Sequence, residues 1–220
     1  MACVRSLRRR CSVPDSSEGV CALVLSAGQG SRYRAEAGED KLLAPCFDDI
    51  ASPPVLAATL SALRGVAERT IVVVRADNRP LRDWLDTYAP ALKAEVFAVH
   101  SNGLGDSLAQ AVERYPARRG WLVALGDMPY VKESTLSKVA GAIDETSLVV
   151  PTFGGQAGHP RGIGTVHWAA LLELHGDTGA QALFANAEQV VELAVDDPGI
   201  VQDVDTPDDR RSMPASNGAG

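Results

Sequence analysis

The sequence predicts an α/β domain in which a mostly parallel sheet carries helices on both faces, and three observations predict it. Short apolar runs recur along the chain, segments of helical spacing lie between them, and each early run ends in a glycine-bearing or polar turn. With 220 residues, 45% hydrophobic and 22% charged, the chain suits one soluble domain with a sizeable core. The 20 glycines and 13 prolines fit many connections and exclude neither sheet nor helix.

The runs at 20–26 (VCALVLS), 70–75 (TIVVVR), 94–98 (AEVFA), 121–125 (WLVAL), 147–150 (SLVV) and 190–195 (VVELAV) read as strands, most of them apolar on both faces. Helical spacing appears at 55–63, 81–88, 104–114, 133–143 and 178–187. Such alternation gives strand order 3-2-1-4 around the first strand and places binding loops at the carboxyl ends of the strands. Segment 151–167 (PTFGGQAGHPRGIGTVH) breaks the alternation and reads as an excursion that closes over a ligand. Residues 1–18 read as a flexible extension, 19–210 as the domain and 211–220 as a frayed tail too small and polar to offset the entropy of ordering.

The charge balance narrows the function. There are 28 acidic and 21 basic side chains, a net −7, whereas a protein that binds nucleic-acid backbone needs an excess of Lys and Arg. The basic cluster Arg5, Arg8, Arg9 and Arg10 is followed by polar residues, so it is not expected to open an export signal. No stretch approaches the roughly 20 apolar residues that span a bilayer, and a cytoplasmic location is expected. Cys3, Cys11, Cys21 and Cys46 lack the paired spacing of zinc or redox sites, and Cys21 is expected as a buried thiol.

The chemistry begins after the first strand. In Ser26-Ala27-Gly28-Gln29-Gly30-Ser31-Arg32 a strand passes into a small, flexible turn whose backbone N–H groups can approach a polyphosphate. A P-loop would place Lys after a second glycine, but Gly30 is followed by Ser31 and Arg32. A dinucleotide fingerprint would place glycine where Tyr33 stands and an acidic residue at the end of strand two, which ends in Arg75. A plain strand-to-helix connection is the alternative. Arg32 and Lys41 offer a planar fork and a point charge for phosphate oxygens, and the acidic stretch 36–40 between them reads as a mobile flap.

Two acidic segments complete the constellation. Asp127, in Gly126-Asp127-Met128-Pro129, follows strand four and would face the glycine loop. Downstream, Asp203-Val204-Asp205 alternates two carboxylates about an apolar residue, which in a strand sends both to one face, and Thr206-Pro207 then starts a helix. Asp127 with Asp205, and less directly Asp203, would hold Mg²⁺, an ion that keeps waters and substrate phosphates. Helix capping and turn formation are the alternative roles.

Six ordered segments, LVLSAGQGSR with DKLLAP, NGLGDSL, VALGDMP, GHP, GDTGA and DDPGIVQDVDTPDD, together resemble the MobA-like nucleotidyltransferases, and within them the molybdenum cofactor cytidylyltransferase branch. The resemblance implies a Rossmann-like three-layer α/β/α domain of the nucleotide-diphospho-sugar transferase kind. It implies transfer of CMP from CTP to the phosphate of molybdopterin with release of pyrophosphate and Mg²⁺ as cofactor. Residues 26–32 with Lys41 would then hold the triphosphate, and Arg32, Lys41 and Asp127 would carry the catalysis. Asn102, Gly105 and Ser107 would contact base and ribose; the alternative is a glycine turn into a helix capped by Asn102. Gly158 and His159 would meet the acceptor, a lone His otherwise being structural, and 176–179 would cap a helix. His100, His167 and His175 are left as structural. A client molybdoenzyme is an implied partner. The chain departs from the family pattern in a longer insertion at 32–38 and in Ser26, where a smaller residue is commoner. Another NTP or acceptor, an NAD(P)H oxidoreductase and a cofactor-delivering chaperone remain alternative functions.

Overall fold

A computed structural model describes residues 19–47 and 51–211. The expected extension and most of the tail, with Cys3 and Cys11, lie outside the described residues. In chain order the elements are β1 (Val20–Ser26), α1 (Ser31–Ala37), α2 (Val55–Ala62), β2 (Arg69–Arg75), α3 (Arg79–Tyr88), β3 (Glu95–Val99), α4 (Leu104–Arg114), β4 (Gly120–Leu125), α5 (Glu133–Ala142), β5 (Leu148–Phe153), β6 (Gln156–Ala157), β7 (Arg161–Gly164), α6 (Trp168–Leu172), α7 (Gln181–Ala185) and β8 (Val191–Ala194). Short 3₁₀ turns at Thr165–His167, Pro198–Val201 and Pro207–Arg211 complete them.

The sheet runs β3-β2-β1-β4-β7-β5-β6, with β8 against β5. The first four strands are mutually parallel. β1 sits at their centre and every one of its residues is buried, which explains a run with no polar face. Its residues split by alternation between two cores. Ala22 and Val24 pack with Leu56 and Leu60 of α2, Leu81 and Leu85 of α3 and Val139 of α5. Cys21, Leu23 and Leu25 pack on the other face with Leu108 and Val112 of α4 and Leu171 of α6. Three layers follow from that division. Local chemistry sets the helix starts: Asn78 accepts the Leu81 N–H at 3.3 Å, and Pro80 lies in the first turn of α3. Among the described residues no helix is long and apolar enough to cross a membrane.

Three expectations need correction. Segment 151–167 is not an excursion from the sheet: β5 continues to Phe153, turns through Gly154 and Gly155, and β7 enters the sheet antiparallel to both β4 and β5. The insertion after the glycine loop folds partly as α1, closed by Gly38 at φ 73, whose N–H donates to the Arg34 carbonyl at 3.0 Å. The acidic stretch is therefore a helix end and a turn, not a free flap. The helix expected at 178–187 shrinks to α7, and residues 176–179 provide no side-chain cap for it. Cys21 and Cys46 are buried free thiols, and desolvation pushes Cys21 up to about 12.

Candidate active site

The carboxyl ends of β1 and β4 carry the predicted loops side by side, because the two strands pair in register from Val20↔Gly120 to Leu25↔Leu125. Gly30 begins α1 at φ 56, a left-handed conformation that side chains resist, so the turn needs glycine there. Ser26 is buried, its Oγ has no hydrogen-bond partner, and it packs on the α-carbon of Gly126.

Lys41 and the acids meet beside this turn. The Lys41 ammonium donates to Asp127 Oδ2 at 2.6 Å and to Asp205 Oδ1 at 3.0 Å, and Arg32 donates to Asp205 Oδ2 at 2.7 Å. Exposure separates the two cations: the Lys41 side chain is 12% exposed and Arg32 is 77% exposed. The Arg32 pair therefore adds little to stability, whereas the Lys41 bridge acts in a drier setting. Burial alone would depress the Lys41 ammonium, but the Asp127 charge and the hydrogen bonds to both carboxylates outweigh it and raise it. Its sign is fixed at neutral pH.

Asp203 joins the cluster. One carboxylate oxygen from each of Asp127, Asp203 and Asp205 lies within 4.8 Å of the others. Burial first, and then the neighbouring Asp205 charge, push the Asp203 carboxyl up. The 203–205 segment is not the strand expected from its alternation. What fixes it is Val204, which is buried in the core while its N–H donates to the Asp127 carbonyl at 2.9 Å. The two flanking carboxylates are thereby carried to the Asp127 side. Thr206-Pro207 opens a 3₁₀ turn instead of a longer helix, and Asp209 Oδ2 holds it by accepting the N–H groups of Asp205 at 3.0 Å and Thr206 at 2.6 Å.

A divalent cation fits these residues by their chemistry: three hard carboxylates converge, and Ser26, whose buried hydroxyl has no hydrogen-bond partner, lines with Lys41 and Asp127 a small cavity of about 60 Å³. A broader groove of about 950 Å³ adjoins it, lined among others by Gly28, Gln29, Ser31, Arg34 and Asn78. Ala27 directly follows β1 and packs against the core on the α4 face, lining neither cavity.

Sequence reasoning missed what positions Lys41. Asp40 accepts the Leu42 N–H at 3.0 Å and the Asn78 side-chain amide at 2.6 Å, tying the Lys41 turn to the start of α3. The signal was available as an Asp immediately before the Lys, a residue that often bonds the backbone two positions on.

The other predicted residues occupy different surroundings. Ser107 is fully buried; its hydroxyl bonds to Ser101 at 2.7 Å and donates to the Gly103 carbonyl at 3.0 Å. Asn102 does not cap α4: its N–H donates to Asp106 Oδ2 at 3.0 Å, and Asp106 Oδ1 accepts the Gly176 N–H at 3.0 Å. The Gly105 N–H donates to the Gly176 carbonyl at 2.8 Å, so this loop is docked on residues 175–178. Gly158 is buried against the Ile200 carbonyl, an approach that a Cβ would block, and is a packing residue. His159 lies next to it with its N–H donating to Ile200 at 2.9 Å and its ring lining two cavities.

The MobA-like NTP transferase domain model matches residues 22–192. The bifunctional protein GlmU of Kineococcus radiotolerans is 30% identical over 174 residues, 76% of this chain and 33% of that protein. The chain thus spans about a third of the length of the curated relatives it matches. Among solved structures, Rv0371c of Mycobacterium tuberculosis H37Rv is 28% identical with TM-score 0.70, covering 86% of this chain and 95% of that one. The complex of Rv0371c with manganese is 27% identical with TM-score 0.65, covering 87% and 95%.

Proposed function

The chain belongs to the MobA-like NTP transferase family, and from that premise we propose that it is a nucleotidyltransferase that moves CMP from CTP to the phosphate of a molybdopterin-type acceptor, releasing pyrophosphate with Mg²⁺ as cofactor. The observation that carries this reading is the meeting of Asp127, Asp203 and Asp205 with Lys41 beside the Gly28–Gly30 turn. The manganese complex of Rv0371c supports a divalent cation in a similar fold.

A phosphate monoester has a second pKa of about 6, so the acceptor is ionised at neutral pH and a general base is unnecessary. The difficulty is to bring one anion to the α-phosphorus of another. A cation held by Asp127, Asp205 and Asp203 would supply charge neutralisation on phosphate oxygens. This chain's own contribution is positional and electrostatic. Backbone N–H groups of residues 27–31 orient the triphosphate in the groove that Gly28, Gln29 and Ser31 line. Lys41 and Arg32 stabilise the charge that grows on pyrophosphate as it leaves. Lys41 is held in place for that role by Asp40, and its charge also balances the acidic cluster. Cytosine as the base and molybdopterin as the acceptor rest on the resemblance of the six segments. A client molybdoenzyme would receive the product.

Pyrophosphate release measured with each of the four NTPs, with and without molybdopterin, tests the reading. Release with CTP that depends on molybdopterin is expected. NAD(P)H binding without NTP binding, or NTP binding indifferent to divalent cations with no pyrophosphate, would overturn it in favour of an oxidoreductase or a delivery chaperone.

A further inference from the structure

Arg161 is a charged side chain that the proposed reaction leaves unused. It begins β7 opposite Val123 of β4, on the α4 face of the sheet. Its Nε is buried with no hydrogen-bond partner, and none of the described carboxylates pairs with the guanidinium. Burial, unopposed by any acidic neighbour, holds its pKa below the usual arginine value. Leaving such a group unpaired is costly, since a desolvated donor forfeits its water without replacement. Its one aromatic neighbour is Phe184, whose ring centroid lies 4.7 Å from the guanidinium carbon. That contact engages the charge and none of the N–H donors.

Arg161 lines a cavity of about 140 Å³ together with His159, Leu25, Leu104, Leu108 and Leu125. Asp177 stands at its rim, exposed, without an ion pair to Arg161. The His159 ring is pushed down to about 4, by burial first and then by the Arg161 charge, so it is neutral at physiological pH and adds a hydrogen-bonding group without a second charge. Leu25 and Leu125 place the cavity at the active end of the sheet, since Ser26 and Gly126-Asp127 follow them directly.

We propose that Arg161, steadied by Phe184 and flanked by His159, binds an anionic group of the acceptor, whose mainly apolar or aromatic body lies against Leu25, Leu104, Leu108 and Leu125. Arginine suits the role because its planar fork meets a phosphate or carboxylate with two parallel hydrogen bonds. The residue would set acceptor specificity, and the inference rests on the nucleotidyltransferase reading above.

Tungstate, a phosphate mimic located by its anomalous scattering, provides the test in crystals of the full chain. The expected result is a tungstate beside Arg161 that persists when a non-hydrolysable CTP analogue fills the glycine loop. It is lost in Arg161→Gln and kept in Arg161→Lys. Tungstate only at the glycine loop, or displaced from Arg161 by the nucleotide, would overturn the assignment. In turnover, Arg161→Gln should raise the acceptor KM roughly 10- to 100-fold, the loss expected for hydrogen bonds to a charged group. The NTP KM should stay unchanged and Arg161→Lys should recover part of the loss. An unchanged acceptor KM, or an equal rise in both KM values, contradicts the proposal. If no NTP yields pyrophosphate, the functional reading fails while the tungstate result still decides whether Arg161 binds an anion.

Discussion

Two neighbouring regions at the carboxyl end of one sheet treat charge in opposite ways. Around the glycine turn, Lys41 is bonded to two carboxylates and Arg32 to one of them, so every cation there has an acidic partner. Across β1 and β4, Arg161 has none, and its neighbour His159 is kept uncharged by burial. A paired cluster can stand alone in water and exchange its internal cation for an external one. An unpaired buried cation is stable only at a cost that a bound anion would remove. The contrast assigns the first region to cation and polyphosphate handling and the second to an anionic acceptor.

The largest effect expected is at the acidic corner. Asp127→Ala should lower pyrophosphate release by on the order of 10²–10³ or more, the scale for one oriented electrostatic group, while circular dichroism and the unfolding midpoint stay close to those of the parent. Activity at the parental level in that variant would remove Asp127 from the reaction. Asp40→Ala should follow, with a loss of up to about 10²-fold, because misplacing a catalytic group by about an ångström costs that much. Its side chain holds Leu42 and Asn78 and pairs with Arg34, so Asp40→Asn, which keeps one acceptor oxygen, should recover part of the rate.

At the other corner pH supplies the probe. The His159 pKa is about 4 in the folded chain, below the usual value of about 6.5. The folded state therefore resists protonation, and this contribution to stability is complete above about pH 6.5, falls as the pH drops from there toward 4, and is gone below it. The full loss is roughly 3 kcal/mol. Urea titrations between pH 7 and 4 should show this slope, and His159→Gln should flatten it; an equally steep slope in the variant would mean that another group is responsible. The smallest effect belongs to a control remote from both corners. The Arg69–Glu95 pair is about half exposed on each side, so Arg69→Gln should change stability by no more than about 1 kcal/mol.

Much of the frame is legible in the sequence because it is local. Mostly apolar runs such as 20–26 and 70–75, short and bounded by turn signals, read as strands buried on both faces, and helices between them favour the parallel order β3-β2-β1-β4. The approach of Asp203 and Asp205 to Asp127 was readable from one apolar residue between two acids, although Val204 achieves it from a loop, by core burial and one backbone hydrogen bond. β7 was hidden. Its four residues, RGIG, contain two glycines and follow a proline, and only pairing with β4 and β5 on both sides makes them a strand. Arg161 was hidden for a related reason: an Arg after a Pro carries no local mark of burial, and its lack of a partner is a property of tertiary packing. The capping role weighed as the alternative for Asn102 does not occur, since Gly103 holds the N-cap position of α4 and the Asn102 N–H donates to Asp106 reaching back over the loop.

Manganese titration followed by electron paramagnetic resonance tests the central claim most directly, because free Mn²⁺ is visible and bound Mn²⁺ is silenced. The account predicts saturable binding by the parent chain, weakened severely in Asp127→Ala and Asp205→Ala, measurably in Asp203→Ala, and left intact in Arg161→Gln. Equal Mn²⁺ binding by all of these chains would contradict it.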